Sequence, residues 1–415
     1  MRNRWLITGV GVALVTSLLA WQPAAGPKDV PSDAGRLIPA DIDLSEIARG
    51  LVNQSARVKE GEFVRINGGA RDLELLENVA IATRRLGAWP LVTLSSDRMI
   101  RLMYDDVPAS FDDQRPELAV RMVGLFPVNI NIAFSENDRV LEGVPPERIA
   151  AQGEAAQPVA DLAREFNVRT INLGNDFYPT KQRAAMFGMS RDELSKIFWA
   201  GVNVDYQALR ETGLRVKRVL DKGHTLRITH PNGTDLTMQL GGKDVLISDG
   251  VISVEDERLG GAATTVWLPA GEVFTTPLVG TADGIVVADH FFFQGRRIEG
   301  LRLEFVEGKL SSMTADKGLA IVQALYDVAG EGRDRFAVVD IGINPNIQVP
   351  PGSDMVGWVP AGMVTVGVGN NAWAGGANNV NFSIYPKLPG STVEVDGTVV
   401  VDGGKLQMGA VLGMK

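Results

Sequence analysis

Residues 267–309 read WLPAGEVFTTPLVGTADGIVVADHFFFQGRRIEGLRLEFVEGK, and no other stretch constrains the fold as much. Short β-prone runs are separated by Gly271, by Ala282-Asp283-Gly284, by Gln294-Gly295 and by Glu307-Gly308, all residues that suit tight turns. The spacing predicts three or four short strands in series. Within Leu301-Arg302-Leu303-Glu304-Phe305 apolar and charged residues alternate, the period of a strand with one buried face. Glu272 stands apart, because it opens an apolar run directly after Pro269-Ala270-Gly271. A carboxylate buried there requires a partner or a metal.

The preceding half has a different grain. Residues 62–66 read as a strand, followed by Asn67-Gly68-Gly69 and a helix carrying Leu75, Val79, Ala82 and Leu86 on one face, with Gly87 as its C-cap. Residues 89–94 return as a strand, which completes a βαβ unit. The Asn67-Gly68-Gly69 turn lacks the full spacing of a dinucleotide loop and reads as a plain tight turn. Apolar runs at 126–132 and 168–173 flank a helix at 148–166, continuing the alternation. Ser190 and Glu193 have capping-box spacing, a helix follows at 205–222, and residues 224–229 and 234–240 form a hairpin around Pro231-Asn232-Gly233.

At 415 residues the chain exceeds one ordinary domain, and a net charge of −9 offers no basic stripe, so nucleic acid is excluded as a partner. There is no cysteine, hence no disulfide, thiolate metal site, cysteine nucleophile or lipobox anchor. Arg2 and Arg4 precede an apolar run at 6–21, the pattern of a signal peptide or uncleaved anchor over residues 1–26, with a proline-bearing linker at 27–39. An exported protein, periplasmic or extracellular, is expected, touching the membrane only through that segment.

At Pro269–Pro277 and Gln294–Phe305 the sequence resembles the thermophilic aminopeptidases, metallopeptidases of the aminopeptidase T and aminopeptidase S type. Their P-x-GEVFT-x-P and QG-x-x-I-E-G-x-R-L-E-F segments stand here almost verbatim. Tyr178-Pro179-Thr180, Gly188-Met189-Ser190 and the 226–236 hairpin are also similar to the family, so the likeness runs with gaps from about residue 60 onward. The resemblance implies an N-terminal α/β domain (40–240, with a helical extension), a β-rich C-terminal domain (241–415), a cavity between them, and a homodimer. It also implies a two-metal centre holding cobalt, zinc or manganese, with two glutamates, two histidines and an aspartate as ligands.

Carried over residue by residue, the first glutamate is Glu272. The second falls on Val338, with Asp340 two residues on and facing the same side of a strand. The first histidine position holds Thr365, and the H-x-D pair is replaced by Ser383 and Tyr385. Of the three histidines, His224 and His230 flank a hairpin turn and only His290 has a route to the cavity. The candidate metal ligands are therefore Glu272, Asp340 and His290, and the candidate cavity residues are Thr365, Ser383, Tyr385, Asn370 and Asn378. The dense asparagines at 370–381 suit either loop turns or a neutral polar pocket. Two readings stay open: a metallo-aminopeptidase with a rearranged ligand set, or an inactive homologue binding a peptide or small molecule. No G-x-S-x-G, H-E-x-x-H or Walker motif occurs.

Overall fold

Five parallel strands form the first sheet: Phe63–Gly69, Trp89–Ser95, Val128–Ile132, Arg169–Leu173 and Thr265–Leu268, with the second strand at one edge and the fifth at the other. These come from a computed structural model that describes residues 42–407. The signal or anchor segment and the linker expected at 1–39 lie outside the described residues. Parallel strands covered by helices on both faces usually read as unbroken apolar runs, but these alternate. Val64, Ile66, Val128, Ile130 and Ile171 are buried in the main core, as are Leu75, Leu76 and Val79 of the Leu73–Arg85 helix. The opposite face carries Arg65, Asn67, Asn129, Asn131, Thr170 and Asn172, and so remains polar.

An eight-stranded antiparallel sheet follows. Its members in spatial order are Lys309–Thr314, Arg296–Val306, Asp283–Phe293, Thr234–Gln239, Thr225–His230, Thr392–Val395, Thr398–Asp402 and Lys405–Leu406. The alternation read in Leu301 to Phe305 is the real one, with Leu301, Leu303 and Phe305 buried and Arg302 and Glu304 half-buried. A third, antiparallel sheet runs Ser383–Ile384, Val364–Gly369, Phe336–Gly342, Glu272–Thr275 and Leu246–Ser248. Every residue of its three central strands is buried. The fold is thus the expected mixed α/β architecture, a parallel sheet followed by antiparallel ones.

Two expectations change. Residues 267–309 do not lie in one series of strands: the stretch leaves the parallel sheet at Leu268, crosses the small sheet at Glu272–Thr275, and enters the eight-stranded sheet at Asp283. A boundary at residue 240 is crossed both ways, since Thr225–Gln239 belong to the large antiparallel sheet while Thr265–Leu268 pair with Arg169–Leu173. Hydrogen bonding between distant strands, invisible to local pattern, sets the divide, and the described residues fall within one compact unit. Among the described residues no helix is long and apolar enough to cross a membrane.

Candidate functional site

The carboxyl ends of the parallel strands open into a cavity of about 840 Å³ whose far wall is the small buried sheet. Ligands gather at this end of an open parallel sheet because loops there diverge and leave a crevice. Thr93, Asn67, Asn131, Asn172 and Trp267 stand side by side in register across it. Their side chains form a directed row: the Thr93 hydroxyl donates to Asn67 Oδ1, Asn67 Nδ2 to Asn131 Oδ1 (2.7 Å), and Asn131 Nδ2 to Asn172 Oδ1 (2.9 Å).

Trp267 begins an aromatic wall. Its ring lies 5.4 Å from Trp373, edge to face; Trp373 meets Trp358 at 5.8 Å, and Trp358 meets Tyr385 at 5.0 Å. Trp373 Nε1 donates to the Tyr385 hydroxyl (2.7 Å), which donates to the Asn370 carbonyl (2.8 Å), while Trp358 Nε1 donates to Asp176 Oδ2 (3.1 Å).

The small sheet supplies the charged floor. Asp340 pairs with Phe274 on one side and Thr365 on the other, and Thr365 bridges to Lys387. Directly opposed residues project to the same face, so Asp340, Thr365 and Lys387 form one row, with Glu272 two residues from Phe274 on that face. Gly271 sets the entry to Glu272. Its φ is +129°, and a Cβ there would lie 2.7 Å from that of Asn344.

Three carboxyls meet here in different states. Glu272 is 3% exposed and its Oε1 accepts from Asn175 Nδ2 at 2.6 Å. Burial pushes its carboxyl up to about 8, with the Asn175 hydrogen bond opposing and the charge of Asp176 adding. Asp340 is fully buried and neither carboxyl oxygen has a hydrogen-bond partner. Burial first, and then the neighbouring Glu272, push it well above the usual carboxylate range. Asp176, its side chain 55% exposed, is held below that range: burial works the other way, but Lys387, Arg183 and the indole of Trp358 outweigh it.

Lys387 is the cation of the group. Its side chain is 10% exposed, its ammonium lies 3.5 Å from Asp176 Oδ2 and 4.5 Å above the Trp358 ring. Burial lowers its pKa against the pull of Asp176, Asp340 and Glu272.

The sequence reading thus converges in part. Glu272, Ser383 and Tyr385 line the cavity, while Asp340 and Thr365 lie in the sheet row behind it, the Thr365 hydroxyl without a partner. His290 does not join them. It sits on the Asp283–Phe293 strand of the other antiparallel sheet, where Nε2 is 3.0 Å from the Asp354 carbonyl oxygen and the ring stacks edge-on to Phe292. Asn378 is a loop tie, its Nδ2 donating to the carbonyls of Gly332 and Gly369. Asn370 caps the 372–374 turn and lines a neighbouring cavity of about 280 Å³. Both are spent on backbone groups that would otherwise be orphaned.

Sequence reasoning missed Lys387, Asn175 and Asp176. The last two had a signal: Gly174-Asn175-Asp176 follows a parallel strand, and all three adopt positive φ, +149°, +39° and +64°. Non-glycine residues in that region concentrate at functional sites. Among the described residues no group of three or more His, Asp or Glu is placed to hold a metal ion.

Comparison with known proteins follows the same lines. A model of the thermophilic metalloprotease family (M29) matches residues 40–336. The aminopeptidase PepS of Streptococcus thermophilus is 23% identical over 310 residues, 68% of this chain and 72% of that protein. The solved structure of wild-type AmpT from Thermus thermophilus superposes with a TM-score of 0.67 at 19% identity, over 88% of this chain and 98% of that one. A 2,5-dihydroxypyridine dioxygenase from Pseudomonas putida superposes with a TM-score of 0.57 at 12% identity, over 88% and 97% of the two chains.

Proposed function

This chain belongs to the thermophilic metalloprotease family, and from that premise we propose that it uses the family's cavity to bind a peptide or peptide-like small molecule without a two-metal hydrolytic centre. One observation carries the reading: Lys387 places a buried ammonium beside Asp176 and in the field of Glu272 and Asp340. A two-metal hydrolase needs several ligands converging on ions about 4 Å apart. Here Glu272, Val338, Thr365, Ser383 and Tyr385 stand at the positions the resemblance assigns to ligands, with the Asp340 carboxyl two residues beyond the second. Burial holds the Glu272 and Asp340 carboxyls toward their neutral forms and Lys387 places a positive charge beside them, so the donor set does not fit a pair of divalent ions. A shared fold does not fix the chemistry; a protein titled as a dioxygenase superposes on the same fold at 12% identity.

The competing reading is a metallo-aminopeptidase built on Glu272 and Asp340, and one experiment separates the two. The purified chain is dialysed against cobalt, zinc or manganese, its metal content measured, and hydrolysis of a leucyl anilide followed. Less than stoichiometric metal and no metal-dependent turnover are expected. Tightly held metal, with turnover that Glu272→Gln abolishes, sinks the proposal and establishes the peptidase.

We also propose export to the periplasm or beyond, on the Arg2 and Arg4 flanked apolar run, and a homodimer, on the family likeness. Supporting the dimer, the helices Asp97–Asp105 and Glu117–Val123 bury no residue and expose Met99, Met103 and Leu118. Cell fractionation and light scattering test the two; a cytoplasmic monomer refutes both.

A further inference from the structure

Arg65 has no role in anything described so far, yet it lines the cavity. It lies on the polar face of the parallel sheet, opposite Asn129 in register. Its Nε is buried without a hydrogen-bond partner, and so is the side-chain oxygen of Asn129. No ion pair reaches its guanidinium among the described residues. The other charges around the cavity are answered within the protein. Arg183 pairs with Asp138 at 2.5 Å, and Asp176 with Lys387. A half-buried guanidinium that faces a cavity with its Nε desolvated and unpaired is costly unless a ligand supplies a partner.

Resting on the reading of the cavity as a peptide-like ligand site, we propose that Arg65 anchors a carboxylate at one end of the ligand, the end farthest from Glu272. The fork of a guanidinium suits a carboxylate bidentately. Between the Arg65 strand and the Trp267 strand lie three strand spacings, roughly 14 Å. An extended peptide advances about 3.3 Å per residue, so a ligand of about three residues, with the reach of the arginine side chain, fills the interval. The amide row of Asn67, Asn131 and Asn172 runs along that path. Each Nδ2 has two hydrogens and spends at most one within the row, which leaves donors for ligand carbonyl oxygens. The other end of the ligand falls against Trp267 and Glu272, where an amino group meets an indole face and the oxygen of a carboxyl. Arg65 therefore selects for a free carboxylate and for length.

The test uses the full chain and two probes, the tripeptide Leu-Ala-Ala as free acid and the same peptide amidated at its C-terminus, with binding measured by calorimetry. The expected result is that the free acid binds about tenfold or more tightly than the amide, the range of a charge-assisted pair. Arg65→Met is expected to erase that preference and Arg65→Lys to keep part of it, melting curves showing that both variants fold. Equal binding of acid and amide by the unmodified protein overturns the role of Arg65 while leaving the cavity reading intact. Failure of both probes to bind overturns the cavity reading, and the anchor falls with it. The comparison on the unmodified protein decides the question even if a variant does not fold.

Discussion

Lys387→Ala is expected to lower the melting temperature by roughly 5 °C at pH 8 and to make the protein responsive to divalent cations. Lys387 is the one positive group acting on Asp340, whose two buried oxygens have no other partner. Removing one member of a buried charge cluster leaves the rest uncompensated, typically about 3–5 kcal/mol. In a chain of this length each kcal/mol moves the midpoint by about 1–1.5 °C. Lost contact between the lysine stem and Trp358 adds to the deficit. Below about pH 5 the carboxyls of Glu272 and Asp340 hold their protons in the variant too, and the loss shrinks to the packing part and the missing partner of Asp176, which stays ionised. The vacated space then lies among oxygen donors alone, the ligand set of magnesium or manganese. Either ion is expected to raise the melting temperature of the variant by binding its native state, and to leave the unmodified protein where it was. Differential scanning fluorimetry at pH 5 and pH 8, with and without the ions, reads both effects. A variant that melts within about 2 °C of the parent at pH 8 and ignores both ions shows that Lys387 does not compensate the carboxyls.

The sequence made part of this site legible, and the division has a physical cause. The strands and helices of the parallel sheet were readable because Val64, Ile66, Leu75 and Val79 repeat at the periods their elements impose. The capping box was readable because Ser190 and Glu193 satisfy each other within one turn; the Ser190 hydroxyl accepts from the Glu193 amide at 3.2 Å. Glu272 stood out as a charge opening an apolar run, Asp340 came from the family resemblance as the carboxyl two residues beyond an implied ligand position, and the two do share a face. Lys387 gave no such signal. It sits in a loop-like segment, Tyr385-Pro386-Lys387-Leu388, and reaches the row only through an isolated bridge to Thr365. Arg65 was hidden for the opposite reason: on an alternating strand, a charged residue reads as a solvated face. Only the distant Trp267 strand and the small sheet turn that face into a cavity wall. His290 misled because it is near Glu272 in sequence, whereas the chain changes sheets between them.

The pH dependence of stability offers the second large effect, and its sign follows from Glu272. The folded protein holds the Glu272 proton up to about pH 8, whereas the ordinary value is 4.5. Between those limits the native state binds a proton that the unfolded chain has released. Stability is therefore greatest at the acid end of the window and falls as pH rises, by roughly 1 kcal/mol per pH unit, levelling above about pH 8. Asp340, also raised, acts in the same direction. Glu272→Gln keeps an oxygen to accept from Asn175 Nδ2 and has nothing to ionise. The variant is expected to match the parent near pH 5 and to exceed it by roughly 2–4 kcal/mol at pH 9, with a shallower slope that Asp340 still supplies. Urea titrations at unit steps from pH 5 to pH 9 measure both curves. Parallel curves would mean that Glu272 carries its charge in the folded state at neutral pH. A carboxylate so deeply buried can do that only beside more positive charge than Lys387 provides, and a bound cation would then be the simplest source. The same titration thus bears on the choice between the two functional readings: a diverging pair of curves favours a neutral, ligand-binding floor, and a parallel pair returns the metal to the site.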